Sequence, residues 1–241
     1  MPDGSTPSVP ARPRQGHESD AIPARQAHVG DATAPRRPRD AEATRARILK
    51  AATEEFSREG FGGARGERIA RRARSSERMV YYYFGSKEGL FRAVLEATYL
   101  SLRQAERGLV LDGIEPARAL SLFCRFVWRY YLEHPEFIGL VNTENQYQAR
   151  HLRGSGQLGE LVSPVVEQLR ALIARGQAAG AFRSGLDAAG LYIAIASQGY
   201  FYLSNTHTLS AVLGLDLRDP ARLENHWLAS EDMILRFVSP A

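Results

Sequence analysis

The chain has 241 residues, 44% of them hydrophobic and 24% charged, with a net charge of +4 and a single cysteine. Ordinary apolar and charged fractions over that length point to one or two globular domains with enough chain for a sizeable core. The lone Cys124 excludes any chemistry that needs a C-x-x-C pair, and it fits a reducing cytoplasm. Residues 1–39 hold seven of the twelve prolines, alternate Ser, Gly, Ala and Arg, and show no sustained apolar period, so they read as a disordered tail. No apolar h-region marks a signal peptide there, and four acidic residues argue against a transit peptide.

Residues 44–90, TRARILKAATEEFSREGFGGARGERIARRARSSERMVYYYFGSKEGL, read as three short helices and the start of a fourth. Ile48, Ala51, Ala52 and Phe56 share one face of the first, and Gly60 supplies its stop. Residues 67–72 turn Ile69, Ala70 and the following Ala73 inward while Arg68, Arg71 and Arg72 stay in water. After a turn at Arg74 and Ser75, Ser76 is the expected N-cap of a third helix whose Met79, Val80 and Tyr83 pack back and whose Glu77, Arg78 and Tyr82 project. Two short helices joined by a tight turn, the second offering polar side chains at its N-terminal end, make a helix-turn-helix that fits a DNA major groove. Charge agrees with this: residues 40–92 carry twelve basic and eight acidic side chains, whereas residues 93–241 carry thirteen and fifteen. Only Lys50 and Lys87 stand beside 29 arginines, so the basic surface is almost wholly guanidinium, which suits bidentate phosphate and guanine contacts.

The stretch resembles the DNA-binding domain of the TetR/AcrR family of bacterial transcriptional regulators. The family's T-R-x-x-I-L-x-A-A falls on residues 44–52 and its F-x-x-x-G-[FY] on 56–61. Its I-A falls on Ile69 and Ala70, and Y-x-[YH]-F-x-[SN]-K-[ED]-x-L on 81–90. Two departures stand out. Ala64, Arg65 and Gly66 replace the hydroxyl pair that usually opens the second helix, and Arg74 replaces the turn glycine. The resemblance implies a DNA-binding surface of Thr44, Arg65, Ser76, Glu77, Arg78, Tyr82, Tyr83 and Lys87. Arg78 is the foremost candidate for a base edge; Thr44, Arg65, Tyr82, Tyr83 and Lys87 are candidates for phosphates, and Tyr81 is expected in the core. The tail is then either a solvated extension or a basic arm that brushes DNA through Arg36, Arg37 and Arg39.

A longer helix begins at Ser86, with Leu90, Phe91, Val94, Leu95 and Leu102 on the side that joins the head to the remainder, and Gly113 ends the connection. Pro116 opens a helix to His134 with Leu120, Phe123, Val127 and Tyr130 on one face, widened by Phe126 and Tyr131; Pro135 stops it. Residues 135–150 are expected to be helical, 154–156 a loop, and 158–175 another helix through Leu161, Val165, Leu169, Leu172 and Ile173. After a turn over 176–185, residues 187–205 form a helix that is apolar nearly all round and so must be buried. That run stops short of the roughly 20 apolar residues of a membrane span and contains Ser197 and Gln198, so no membrane is expected. Residues 222–238 place Leu223, Trp227, Ser230, Ile234 and Phe237 in a seam suited to helix packing. No segment demands a strand, so the fold is expected to be all-α: tail 1–39, helix-turn-helix domain 40–92, and helical effector-binding and dimerisation domain 93–241.

An enzyme is not expected. His134-Pro135-Glu136 matches the H-x-E half of a zinc deaminase signature, yet the cysteine half is missing. No G-x-S-x-G or phosphate loop occurs, and six scattered histidines lack the i, i+4 pairing of a helical metal site, so neither metal nor cofactor is expected. The resemblance implies a homodimer through the last two helices, a palindromic operator and a small-molecule effector that lifts repression. The dimer's alternative is that those helices close the monomer core. An apolar or aromatic effector is expected in a cavity of Phe123, Phe126, Val127, Tyr130, Tyr147, Tyr192 and Phe201, oriented by Asn142, Asn145 and Gln198, with Glu144 and His151 as further anchors. The competing function is a helical ligand-binding or interaction module that has lost specific DNA recognition.

Overall fold

The computed structural model describes residues 38–156 and 158–240, so all but the end of the expected tail lies outside the described residues. Among them are eleven helices and no strand: α1 (Pro38–Gly63), α2 (Gly66–Arg72), α3 (Glu77–Phe84), α4 (Lys87–Arg107), α5 (Pro116–Glu133), α6 (Pro135–Gln146), α7 (Arg150–Arg153), α8 (Leu158–Ala178), α9 (Ala188–Ser204), α10 (Thr206–Leu213) and α11 (Pro220–Val238). The chain is all-α.

Local chemistry sets most of the boundaries. Gly60 breaks α1 at φ 65°, ψ 177°, a conformation that a side chain resists. Ser86 caps α4 by accepting from Gly89 N at 3.0 Å, and Asp187 caps α9 by accepting from Gly190 N at 2.6 Å. Glu115 and Asp219 each accept two backbone N–H groups ahead of a helix that opens on proline.

Two apolar cores form, and α4 contributes to both. The first gathers Ile48, Phe56, Ile69, Val80, Phe91 and Leu95 from α1 to α4, and also takes Leu140 from α6. The second runs from Leu102 through Phe123, Val127, Tyr131, Leu169 and Ile195 to Trp227. α6 lies along α1 so closely that a Cβ on Gly139 would stand 2.6 Å from the Ser57 carbonyl oxygen.

Five sequence expectations are corrected. The helix expected over 135–150 is two, because Gln148 and Ala149 adopt positive φ between α6 and α7. α10 was not anticipated. Tyr81, expected in the core, is 37% exposed. The apolar α9 is buried only along Ala188, Leu191, Ile195 and Gly199, while Ile193 and Phe201 are 66% and 62% exposed. The α11 seam divides similarly: Trp227, Ser230 and Ile234 turn into the subunit's own core, whereas Phe237 faces outward, as do Leu228 and Met233, which lie off the seam. No helix among the described residues is long and apolar enough to cross a membrane.

Candidate DNA-reading head and effector domain

The head is built around a carboxylate. Glu55 on α1 is fully buried and accepts from Arg65 N at 3.1 Å, Arg68 Nε at 2.6 Å and Arg72 at 3.3 Å. Burial pushes its carboxyl up, but the hydrogen bonds from Arg68 and the Arg65 N–H, with both guanidinium charges, outweigh this and hold it below the ordinary value. Arg65, the residue before α2, makes no side-chain cap, so Glu55 satisfies from outside a backbone N–H at a helix start that has no hydroxyl. Arg68 is thereby drawn partly out of the water in which sequence placed it.

The turn closes with arginine where glycine is usual. Arg74 sits at φ 49°, while Ala73 N and Ser75 N donate to the Ile69 and Ala70 carbonyls at 2.9 Å each. Those bonds end α2 in the manner of a left-handed C-terminal cap. Ser76 then caps α3, its Oγ accepting from Met79 N at 3.3 Å. Val80 is buried beneath, and Ser76, Glu77, Arg78 and Tyr82 are exposed, Tyr82 at 77%. Tyr83 is half-buried, with its ring edge-on to Tyr82 at 5.3 Å.

Behind α3, the Lys87 ammonium lies 5.0 Å over the Phe61 ring. Burial, and then the charge of Arg65, lower its pKa. Two cations held near each other in this way gain from an anion placed against both. Thr44 is buried, and its hydroxyl donates to the Asp40 carbonyl at 2.8 Å and accepts from Arg47 at 3.0 Å. Its oxygen is already engaged within α1.

The ten expected effector contacts fall in five places. Phe123, Val127, Tyr130 and Tyr192 belong to or pack on the second core, with Phe126 half-buried 6.0 Å from the Tyr130 ring. A cleft of about 410 Å³ between α4 and α5 is lined by Ser101, Ala105, Phe126, Tyr130 and His134, among others. Asn142 accepts from the Tyr200 hydroxyl, to which Asn145 donates at 3.3 Å, so both asparagines fasten α6 to α9. At Gln198 it is the backbone carbonyl, not the side-chain amide, that pairs with His226 Nε2 on α11 at 3.0 Å. Tyr147 and Phe201 are not brought to this group: Tyr147 packs on Phe61 and His151 at 5.2 and 5.4 Å, and Phe201 points outward.

The further anchors Glu144 and His151 are also accounted for. Glu144 Oε1 accepts from His151 N and Leu152 N at 2.8 and 2.9 Å, and Oε2 pairs with His151 Nδ1 at 2.7 Å. Both residues are buried beside Phe61 and Phe91, so this pair opens α7 and seals α6 to the head. Sequence reasoning missed Glu55, and it missed Arg103 and Glu106, which α4 buries at 2% exposure each. Charged residues on an amphipathic helix ordinarily read as its wet face.

Comparison with known proteins agrees with this anatomy. Residues 48–94 match the family model of bacterial regulatory proteins of the tetR family, and residues 116–234 match a tetracyclin repressor-like C-terminal domain. The HTH-type transcriptional repressor NicS of Pseudomonas putida is 48% identical over 197 residues, covering 81% of this chain and 92% of NicS. The HTH-type transcriptional regulator RutR of Escherichia coli K12 is 30% identical over 185 residues, covering 75% and 84%. Among solved structures, the regulator SCO4942 of Streptomyces coelicolor superposes with a TM-score of 0.59 at 27% identity, over 79% of this chain and 97% of that one. The fatty acid degradation regulator FadR of Bacillus halodurans, at 16% identity and a TM-score of 0.61 over 80% and 94%, shares the fold.

Proposed function

Because this chain belongs to the TetR family of transcriptional regulators, we propose that it is a cytoplasmic repressor that reads a palindromic operator as a homodimer and releases it on binding a small molecule. The observation that carries the reading is α3: capped by Ser76, anchored by Val80, and presenting Glu77, Arg78 and Tyr82 to solvent. Arg78 reads a base edge, and Lys87, Arg65 and Tyr83 take phosphates. Thr44, with its hydroxyl engaged inside α1, supports that surface through Arg47. The regular closure at Arg74 favours this reading over a module that has lost DNA recognition.

The dimer is formed by the outward faces of α9 and α11, where Ile193, Phe201, Leu228, Met233 and Phe237 leave apolar surface open to water. A two-fold axis there sets two α3 helices against half-sites about 34 to 36 Å apart. The effector, small and largely apolar or aromatic, enters between α4, α5 and α9, near Tyr130 and Tyr192. To take the heads from 1:99 to 99:1 it must favour the released conformer by about 5.5 kcal/mol. α4 carries that preference, since it runs from Lys87 in the head to Arg107 in the effector domain. The test is an electrophoretic shift with the DNA flanking the chain's own gene. A retarded band at nanomolar protein, competed by a palindrome and not by random duplex, supports the reading; equal binding to both refutes it.

A further inference from the structure

α4 buries two charges near its C-terminal end. Arg103 and Glu106 are each 2% exposed, on the same face as Leu102. Taking two ions out of water is repaid only when their remaining donors and acceptors are also met. Here they are not all met. One terminal nitrogen of Arg103 donates to Glu106 Oε2, and the other donates to the Tyr192 hydroxyl on α9 at 3.1 Å. Arg103 Nε and Glu106 Oε1 are buried with no hydrogen-bond partner.

The neighbours of the pair include aromatic side chains. The guanidinium lies 5.7 Å from the centre of the Tyr192 ring. Burial, followed by the neighbouring Tyr192, pushes the Tyr99 hydroxyl up to about 12, and burial pushes Tyr131 upward too. Native proteins seldom leave a buried polar atom unpaired without a reason. In a domain built to take small molecules, a reason is at hand: one unmet donor and one unmet acceptor on neighbouring side chains define the complement of a ligand.

We propose that Arg103 Nε and Glu106 Oε1 recognise the effector, and that the effector is a neutral planar ring compound carrying both an acceptor for Nε and a donor for Oε1, as in a lactam or pyridone. This rests on the effector reading above and gives it a ligand class. A carboxylate would supply two acceptors and set a second negative charge against Glu106. An amidinium would set a second positive charge against Arg103, and a plain hydrocarbon would leave both atoms unmet. Because both residues are covered, the ligand must part α4 from α9 at Tyr192 to reach them, and α4 is the helix whose first residue is Lys87.

The test uses the full chain and four probes by titration calorimetry: 2-quinolone, benzoate, benzamidine and naphthalene. 2-Quinolone is expected to bind at least about tenfold more tightly than the other three. Arg103→Met combined with Glu106→Leu replaces both ions by hydrophobes of similar size, a change that folded proteins often accept; it is expected to keep the dimer and operator binding and to lose the 2-quinolone preference. Tyr192→Phe is expected to weaken 2-quinolone severalfold and is the readout if the double variant does not fold. The proposal is overturned if another probe binds as tightly, if none binds at millimolar concentration, or if the variants bind 2-quinolone as the parent does. Operator release by a probe that ignores the double substitution removes the pair while the effector reading stands. Pair-dependent binding that leaves operator affinity unchanged keeps the recognition chemistry and removes its regulatory role.

Discussion

Glu55 shows how one side chain compensates for an irregular sequence. α2, the helix before the turn, begins without a hydroxyl cap, and a carboxylate one helix away accepts the Arg65 N–H together with Arg68 and Arg72. Its pKa is depressed in the folded chain below the ordinary 4.5. Its contribution is therefore complete above that ordinary value and is lost as pH falls through the lower, folded value. We expect the head to lose stability as pH falls below the ordinary carboxylate value of 4.5, and Glu55→Gln to remove that acid limb while costing about 1 to 3 kcal/mol at neutral pH. Denaturant unfolding followed across that range checks both, and an acid limb unchanged in the variant would assign it to other carboxylates.

At the scale of elements, α3 and the α9–α11 pair make different kinds of surface. Arg78 is exposed at the start of α3, and Lys87 opens α4 over Phe61. Arg78→Ala is expected to cost about 1 to 3 kcal/mol on the operator and little on random duplex, whereas Lys87→Ala weakens both and flattens the salt dependence. Equal losses for Arg78→Ala on the two DNAs would remove it as a base reader. The dimer surface calls for a choice of residue that periodicity alone could not make. Trp227 lies on the α11 seam but is 3% exposed inside the subunit, so Trp227→Arg breaks the core. Ile193→Glu with Leu228→Glu places charges on the outward faces, and is expected to give a folded monomer by sedimentation with little operator affinity. A dimer that survives this pair of changes would move the interface elsewhere. The helices themselves were legible because apolar spacing, N1 prolines and Ser or Asp caps repeat the rules that form them. What was hidden was direction: a seam looks alike whether it meets the same subunit or another. α7, with four residues, and α10, which follows the apolar α9 after only Asn205, carry too little pattern of their own to be seen.

For the whole molecule, the question is what makes the head and the effector domain move together. Sequence showed the aromatic content of the effector domain but not its arrangement, because contacts such as Arg103 with Tyr192 join residues far apart in the chain and place charges where helical pattern expects water. The junction was equally hidden. Leu140 of α6 fills the head's core, Glu144 and His151 close against Phe61 and Phe91, and Gly139 admits the Ser57 carbonyl. The head therefore rests on α6 as well as on α4, and a ligand that shifts α6 through Asn142 and Tyr200 would move the same junction. A methyl group on Gly139 would stand 2.6 Å from a backbone oxygen, which a backbone cannot yield as a flexible side chain would. Gly139→Ala is thus expected to push α1 from α6 at a cost of about 1 to 3 kcal/mol, while leaving the outward faces of α9 and α11 untouched. Sedimentation should still give a dimer, and operator affinity should fall about tenfold or more because the two heads no longer hold their spacing. Unchanged operator affinity, in a variant whose melting temperature has dropped, would show that α4 alone sets the position of the head.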